Sequence, residues 1–472
     1  MMMKPAESHR IKTGVALTRS SVLINSLRIE DKPHVRNVFL LTFAVIAPLA
    51  VVIARRPDAI FNPQFWAEDG KVFYADAYNF GFRSVAWPVA GYLQTLPRLA
   101  ALLSLGFPFR AAPFVLNCIA IVVQVLPAVL LLSKRLDPVG TWRPRCLLAF
   151  LYLTLPNSHE LHGNITNAQW ALALSALLVI FARPAKSLPA RVFDIVVVGL
   201  CSLTGPFVIL IAPIGVAKRY MDRPETAAAF TLALAPTAAN AAEPRRSIVR
   251  QRPQHEVGAY LLGITALGAV GQAVALISTG ASARIHVERG ASLLVLLKIL
   301  AKQIFLAVFL GRRVLSSLTL GSWRGIVIAA IAVFGGICIV AYALCTGPLR
   351  LKLFLAFSLC ILVVSLAYPM TQPPQWPVLS NAGGVRYWFF PMLAVIASLV
   401  WLLDPSNMAW VRCVATVLIL LMGFGILQDF GEPRLQDKHF ESYVSLLSTA
   451  ASGSSLTIPL NPNGWLMHLT KK

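Results

Sequence analysis

The sequence predicts an all-α polytopic membrane protein, and three observations predict it. Of 472 residues, 57% are hydrophobic and only 13% are charged, about half the ~25% of a soluble domain. The apolar residues gather into about 11 segments of roughly spanning length. Finally, 42 Lys+Arg stand against 20 Asp+Glu, a net charge of +22, and these cations sit between the apolar runs. A basic nucleic-acid domain is rich in charge; this chain is poor in it, so no nucleic-acid partner is expected. The excess is topological, because short cytoplasmic loops retain Lys and Arg, and anionic membrane lipids add attraction. The composition also excludes a disordered chain, a collagen, a coiled coil and an ordinary cytosolic enzyme. The seven cysteines lie in or beside apolar segments without a CxxC pair and read as small buried hydrophobes.

Residues 1–36 form a basic tail, expected in the cytoplasm. Asn37–Ala54 follows (NVFLLTFAVIAPLAVVIA); as a helix it rises about 27 Å, enough to cross a core of ~30 Å with slight thinning. The basic flank is too long for a typical signal peptide, so an uncleaved first span is expected. Residues 55–110 are too polar to span and read as a long first external loop, with Leu96–Leu105 lying along the surface. Ala111–Ser133 returns inward to Lys134, Arg135, Arg143 and Arg145.

Two unusual pairs come next. Cys146–Asn157 and Ala168–Ala182 are joined by SHELHGNITN, and Val192–Leu203 is joined to Phe207–Ala217 through Thr204-Gly205-Pro206. Basic residues flank each pair, which demands an even number of crossings. Yet several arms hold only about 11–15 apolar residues, short of the ~20 a full span needs. The pairs therefore read as short hairpins whose tips line a cavity, since irregular backbone at membrane depth needs protein or water around it. Thr204-Gly205-Pro206 reads as a tight tip.

Residues 218–256 form a cytoplasmic loop with a low-complexity alanine-rich middle. The second half, 257–428, offers spans at Val257–Thr279, Arg324–Cys345, Leu353–Met370, Tyr387–Leu403 and Ala409–Gln428. Ser292–Leu310 has two readings. Lys298 and Lys302 share one helical face, so the segment either lies in the interface or spans with both lysines facing protein. The interfacial reading gives about 11 spans and keeps the loop before Arg386 and the polar tail 429–472 external. That tail reads as a small appendage that covers the cavity mouth or binds an acceptor.

Three polar constellations could carry chemistry. The first is Phe65-Trp66-Ala67-Glu68-Asp69-Gly70-Lys71-Val72-Phe73-Tyr74, where two carboxylates are adjacent soon after the first span. The second, Ser158-His159-Glu160-Leu161-His162-Gly163-Asn164, is one residue short of H-E-x-x-H. Its histidines sit at i and i+3, so a zinc-protease reading fails. The third is Asn381-Ala382-Gly383-Gly384-Val385-Arg386-Tyr387-Trp388. There an arginine at the mouth of a span can hold a phosphodiester with its planar fork, with Tyr387 and Trp388 at headgroup depth.

An acidic pair in the first external loop, followed by short hairpins, resembles the GT-C superfamily of membrane glycosyltransferases. The resemblance covers roughly residues 37–217 by organisation and only a few residues by motif. The order here is Glu-Asp where many relatives read Asp-Glu. The resemblance implies a GT-C-like fold and transfer of a sugar, with inversion, from a polyprenyl-phosphate carrier to an external glycan or lipid acceptor. It implies Glu68 and Asp69 as catalytic acids, one touching the reacting centre and the other orienting it. Glu160, His162 and Asn164 would contact acceptor or metal, and Arg386, Tyr387 and Lys302 would bind the donor phosphate. A divalent cation, Mg or Mn, would be held by Glu68, Asp69 and Glu160. Short loops suit a bacterial inner membrane. The alternatives are a transporter or flippase of lipid-linked saccharides, which should show matched repeats and midplane ionisable residues, or an O-antigen ligase or polymerase, which would place its chemistry in a late loop.

Overall fold

The computed structural model describes residues 33–222, 257–279, 287–317, 322–381 and 383–472. The expectations for the basic tail up to residue 32, for most of the 218–256 loop, and for Ala382 lie outside the described residues. The chain divides into two units, Met1–Ala47 and Pro48–Lys472. Of the first, the described part is the opening of a helix, Pro33–Arg55.

The helices follow the apolar runs. Among the described residues seven are long and apolar enough to cross a membrane: Phe109–Leu132, Ala259–Ser278, Leu293–Ser317, Trp323–Thr346, Leu349–Ala367, Val385–Leu402 and Ala409–Asp429. The expected count of about 11 is therefore not reached among the described residues. The difference lies mainly in the two pairs of the first half, where Trp142–Leu153, Ala168–Phe181, Leu188–Ser202 and Val208–Met221 have 12, 14, 15 and 14 residues. Such helices rise about 18–23 Å, short of a ~30 Å core.

Each short pair ends in irregular backbone at the end of the bundle that carries Glu68. The Thr204 tip is stapled to the first loop: Thr95 N donates to the Leu203 carbonyl (3.0 Å), Gly205 N to that of Leu93 (2.8 Å) and Leu96 N to Thr204 Oγ1 (3.0 Å). The first loop is itself folded. Thr95–Ser104 is a helix that buries Leu96, Arg98, Ala100 and Ala101 on one face and exposes Leu99 and Leu103 on the other. Arg98 ties it to Asp76 (2.8 Å) and to the Trp87 carbonyl (3.2 Å).

The other tip, Thr154–Asn167, is almost wholly buried. Buried N–H and C=O groups outside regular structure must still be paired, and side chains from other helices do it. Arg55, fully buried, donates Nη1 to the Leu153 carbonyl (2.9 Å) and Nη2 to Leu155 O (3.1 Å) and Ser158 Oγ (3.3 Å). Its Nε reaches the Phe430 carbonyl (3.1 Å) and its Nη2 the Glu432 carboxylate (2.7 Å). One guanidinium thus joins the C-termini of Pro33–Arg55, Trp142–Leu153 and Ala409–Asp429, where helices leave carbonyls unpaired. Gln124 donates to the Leu161 carbonyl and accepts from Gly163 N (3.3 Å). Asp429 accepts from Asn157 N (3.0 Å) and from the amides of Arg312 and Arg313.

That last contact explains a break in the helix Leu293–Ser317. Gly311 has φ of 72°, and a Cβ there would meet Asp429 Cγ and the Gly425 carbonyl at 2.9 Å, so only glycine fits. The chain restarts at Arg312 with Asp429 acting as an N-cap supplied from another helix. Residues 288–313 return repeatedly to the Glu68 end: Glu288 O accepts from Gln375 N, Gln303 bonds Asn157 and the Asn381 carbonyl, and Arg312 meets Asp429.

The expectation of an all-α chain is corrected at the C-terminus. After the helix Phe440–Thr449, strands β1 (Ser455–Leu460) and β2 (Trp465–Thr470) pair antiparallel, with Leu460 opposite Trp465. The period-2 burial of Ile458, Leu460, Met467 and Leu469 is the cause: one face packs inward.

Replacing Arg55 with Met should lower the melting temperature of the detergent-solubilised protein steeply, by about 3–5 kcal/mol of stability, since the buried Glu432 loses its cation. Arg55→Lys should restore little, because an ammonium cannot span acceptors on both sides of a fork. An unchanged melting temperature in either variant would contradict the hub role.

Candidate functional site

The acidic pair sits at the start of a π-helical turn, Asp69–Tyr74. Ahead of it Ala67 has φ of 33°, a left-handed backbone that costs a non-glycine residue about 1–3 kcal/mol. The kink sets the direction in which the turn starts, and as successive residues of that turn the two acids point to different sides. Asp69 is 1% exposed. It accepts from Ile165 N (3.0 Å), Thr166 N (2.9 Å) and the Thr166 hydroxyl. Burial pushes its carboxyl up to about 7, with the bonds from Thr166 and Ile165 opposing. With three hydrogen bonds to the second loop and almost no exposed surface, Asp69 is a clasp that ties the second loop to the first.

Glu68 is half-buried and its carboxylate has no hydrogen-bond or ion-pair partner among the described residues. It lies within electrostatic reach of Arg386, as do Glu160 and Tyr92. Glu160 Oε2 accepts from Arg386 Nη1 (3.0 Å) and from its backbone N (3.3 Å). The second and third constellations thus meet the first at one place. Asn164 and Asn167 each donate to the Glu160 carbonyl at 2.8 Å, and Asn164 is fully buried. It braces the loop and offers no atom to a ligand.

The His162 ring is buried within the second loop. Its Nε2 lies 3.0 Å from Ser158 Oγ, which already donates to the Leu155 carbonyl (2.6 Å). The Ser158 oxygen must therefore accept, which puts the proton on Nε2 and leaves Nδ1 bare and buried. Burial, with Arg55, Arg56 and His159 nearby, holds the ring well below its usual range, so His162 is neutral.

Tyr387 and Trp388 face protein rather than an open surface. Both are buried; the Tyr387 hydroxyl accepts from Met370 N (2.8 Å), and its ring meets Trp170 edge-on. Tyr387 is therefore core, and Arg386 is already paired with a carboxylate. Lys302 lies elsewhere, on a cavity of about 370 Å³ lined also by Asn157, His159, Gln303, Arg312 and Arg313. Neither Lys302, Arg312 nor Arg313 has an ion-pair partner among the described residues. Burial and the charge of Arg312 press His159 down to about 4, so it adds a neutral ring. The cavity adjoins the acids along two stretches of chain, since His159 precedes Glu160 and Val385, also on its wall, precedes Arg386.

Arg312, Arg313 and Gln303 belong to no sequence motif, and His159 enters only as the first histidine of the H-E-x-H run. One signal was present: two arginines directly after a glycine, ten residues beyond a lysine in an apolar run. The proposed metal set does not fit. Among the described residues no three His, Cys, Asp or Glu side chains converge, because Asp69 is held by Ile165 and Thr166 and Glu160 by Arg386.

The linkage for Asp69 has a definite sign. A folded-state value raised from 3.8 to about 7 means the folded protein holds that proton more tightly. Its contribution is complete below 3.8 and is lost as pH rises through about 7. Melting temperature should therefore fall between about pH 5 and about pH 8 by more in the wild type than in Asp69→Asn, which cannot titrate. Equal pH slopes in thermal melts would overturn the assignment.

No family model matches the chain, and no curated protein matches it. Among solved structures it is similar to the oligosaccharyltransferase of Archaeoglobus fulgidus in the apo form, at 13% identity, 87% coverage of this chain, 58% coverage of that one and a TM-score of 0.44. The chain spans less than two thirds of that protein's length, and a likeness of this degree assigns neither activity nor substrate.

Proposed function

We propose that the chain is a membrane glycosyltransferase that moves a sugar from a polyprenyl-phosphate carrier to a hydroxyl of an external glycan or lipid acceptor. One observation carries the reading: Glu68, whose carboxylate has no hydrogen-bond or ion-pair partner among the described residues, lies within electrostatic reach of Arg386, and the residue before that arginine, Val385, lines the cavity that holds Lys302, Arg312 and Arg313. The opposite end of the bundle holds Lys134, Arg135, Arg183, Arg219 and Arg350, which suits a cytoplasmic face and leaves Glu68 outside, in keeping with a bacterial inner membrane protein.

In this reading Glu68 takes the proton from the acceptor hydroxyl. The acceptor oxygen attacks the anomeric carbon from the face opposite the phosphate. The bond from that carbon to the phosphate oxygen breaks, and the oxygen keeps the electron pair. Lys302, Arg312 and Arg313 meet the charge that grows on the departing phosphate, where fixed cations are most effective. Glu160, held by Arg386, turns its second oxygen toward the acceptor. Asp69 and Asn164 act by fixing the loops, and the polyprenyl chain lies along the apolar helices in the lipid.

Glu68→Gln should reduce sugar transfer in vesicles by at least about 100-fold at normal protein level, whereas Glu160→Gln should mainly raise the acceptor KM. Arg312→Ala with Arg313→Ala should raise the donor KM by roughly tenfold or more, the scale of a lost charge-assisted contact. Normal turnover in Glu68→Gln would remove the catalytic assignment. An unchanged donor KM in the arginine variant would remove the cavity from the donor site.

A further inference from the structure

The C-terminal strands touch the acidic loop at several points. Trp66 and Asn461 form an isolated parallel bridge, in which the Asn461 carbonyl accepts from Ala67 N and Asn461 N donates to the Phe65 carbonyl (3.3 Å). Asn461 is buried, and its side chain is fixed in turn: Oδ1 accepts from Gln436 N (3.0 Å) and Nδ2 donates to the Gln436 carbonyl (2.8 Å). On the other side of the acids, Leu460 lies so close to Gly70 that a Cβ there would meet its Cδ1 at 2.8 Å. Lys71 stands over the Trp465 ring at 5.2 Å, and Asn79 bonds the Thr470 amide (3.0 Å) and the His468 carbonyl (3.1 Å). The residue between these anchors and Glu68 is Ala67, whose left-handed φ of 33° an L-residue leaves unless surrounding structure over-determines it.

From these contacts we infer that the C-terminal hairpin is a positioning element of the site, with Asn461 holding the Ala67 backbone so that Glu68 points toward Arg386 and the cavity while Asp69 turns into the core. Without the bridge, Ala67 relaxes to negative φ and the two acids change direction together. This rests on the assignment of Glu68 as the reacting acid, and the tests separate the two.

In the full-length protein, Asn461→Ala should speed hydrogen exchange at the Ala67 amide and leave exchange in the Ile165–Thr166 stretch slow. It should lower kcat by roughly tenfold while the donor KM changes less than about twofold, and Asn461→Asp, which keeps the bond from Gln436 N, should recover part of the loss. In a double-mutant cycle, Asn461→Ala should add little to Glu68→Gln, because both act through one carboxylate. Unchanged exchange at Ala67 overturns the clamp whatever the chemistry. Faster exchange with normal kcat overturns the positioning role. Additive losses also overturn it, since the hairpin would then act elsewhere. If Glu68→Gln itself turns over normally, the catalytic reading fails while the exchange result still decides the clamp. Should Asn461→Ala not fold, Trp465→Ala loosens the hairpin from Lys71 and should shift exchange and kcat in the same directions.

Discussion

A chain that leaves helical geometry inside an apolar bundle must find a partner for each buried N–H and C=O. The buried stretch Thr154–Asn167 imposes that constraint here, and the rest of the site is organised around meeting it. Arg55 supplies donors to the carbonyls at one end and Asp69 accepts the amides at the other. Gln124 works in the middle and Asp429 at the flank. Each comes from a different helix or loop, so the loop can hold its shape only once those elements have assembled. The desolvation of Arg55 is offset by its carboxylate partner Glu432 and by the carbonyls it would otherwise leave unpaired. The polar residues left over, Glu68 and the cations of the nearby cavity, stand out because their neighbours are satisfied.

The same constraint divides two adjacent acids that look equivalent in sequence. A carboxylate that accepts from two amides and a hydroxyl in a closed site has a structural task, and its raised affinity for a proton records the burial that task requires. A carboxylate one residue earlier, directly after a left-handed alanine, remains open. The division depends on backbone direction at Ala67 and therefore on the C-terminal strands, which lie nearly four hundred residues further along the chain.

The apolar helices were legible because hydrophobic length is a one-dimensional signal: Asn37–Ala54, Ala111–Ser133 and Ala409–Gln428 coincide closely with the helices Pro33–Arg55, Ala112–Leu132 and Ala409–Asp429. The short hairpin arms were legible for the same reason. The separate duties of Glu68 and Asp69 were not, since they turn on a long-range bridge to Asn461. Nor was the pairing of Glu160 with Arg386, which leaves the arginine unavailable as an unencumbered phosphate ligand, or the burial of Tyr387. The hairpin does leave a trace in sequence: SLTIPL and WLMHLT alternate around Asn461-Pro462-Asn463-Gly464, a turn-rich spacer. The cationic cavity could not be read that way, because Lys302 and Arg312 come together only after the break at Gly311, which Asp429 sets from another helix.

The account stands on the acid Glu68 and a carrier phosphate in the cationic cavity meeting at one site. Photocrosslinking tests this most directly. A polyprenyl-phosphate sugar with a photoreactive group beside the phosphate is irradiated with the full-length protein in vesicles, and the adducts are mapped by mass spectrometry. The account predicts adducts within Lys302–Ser316 and Asn157–Glu160 that unlabelled donor suppresses. Adducts confined to lipid-facing positions such as those of Trp323–Thr346, undiminished by competitor, would contradict it.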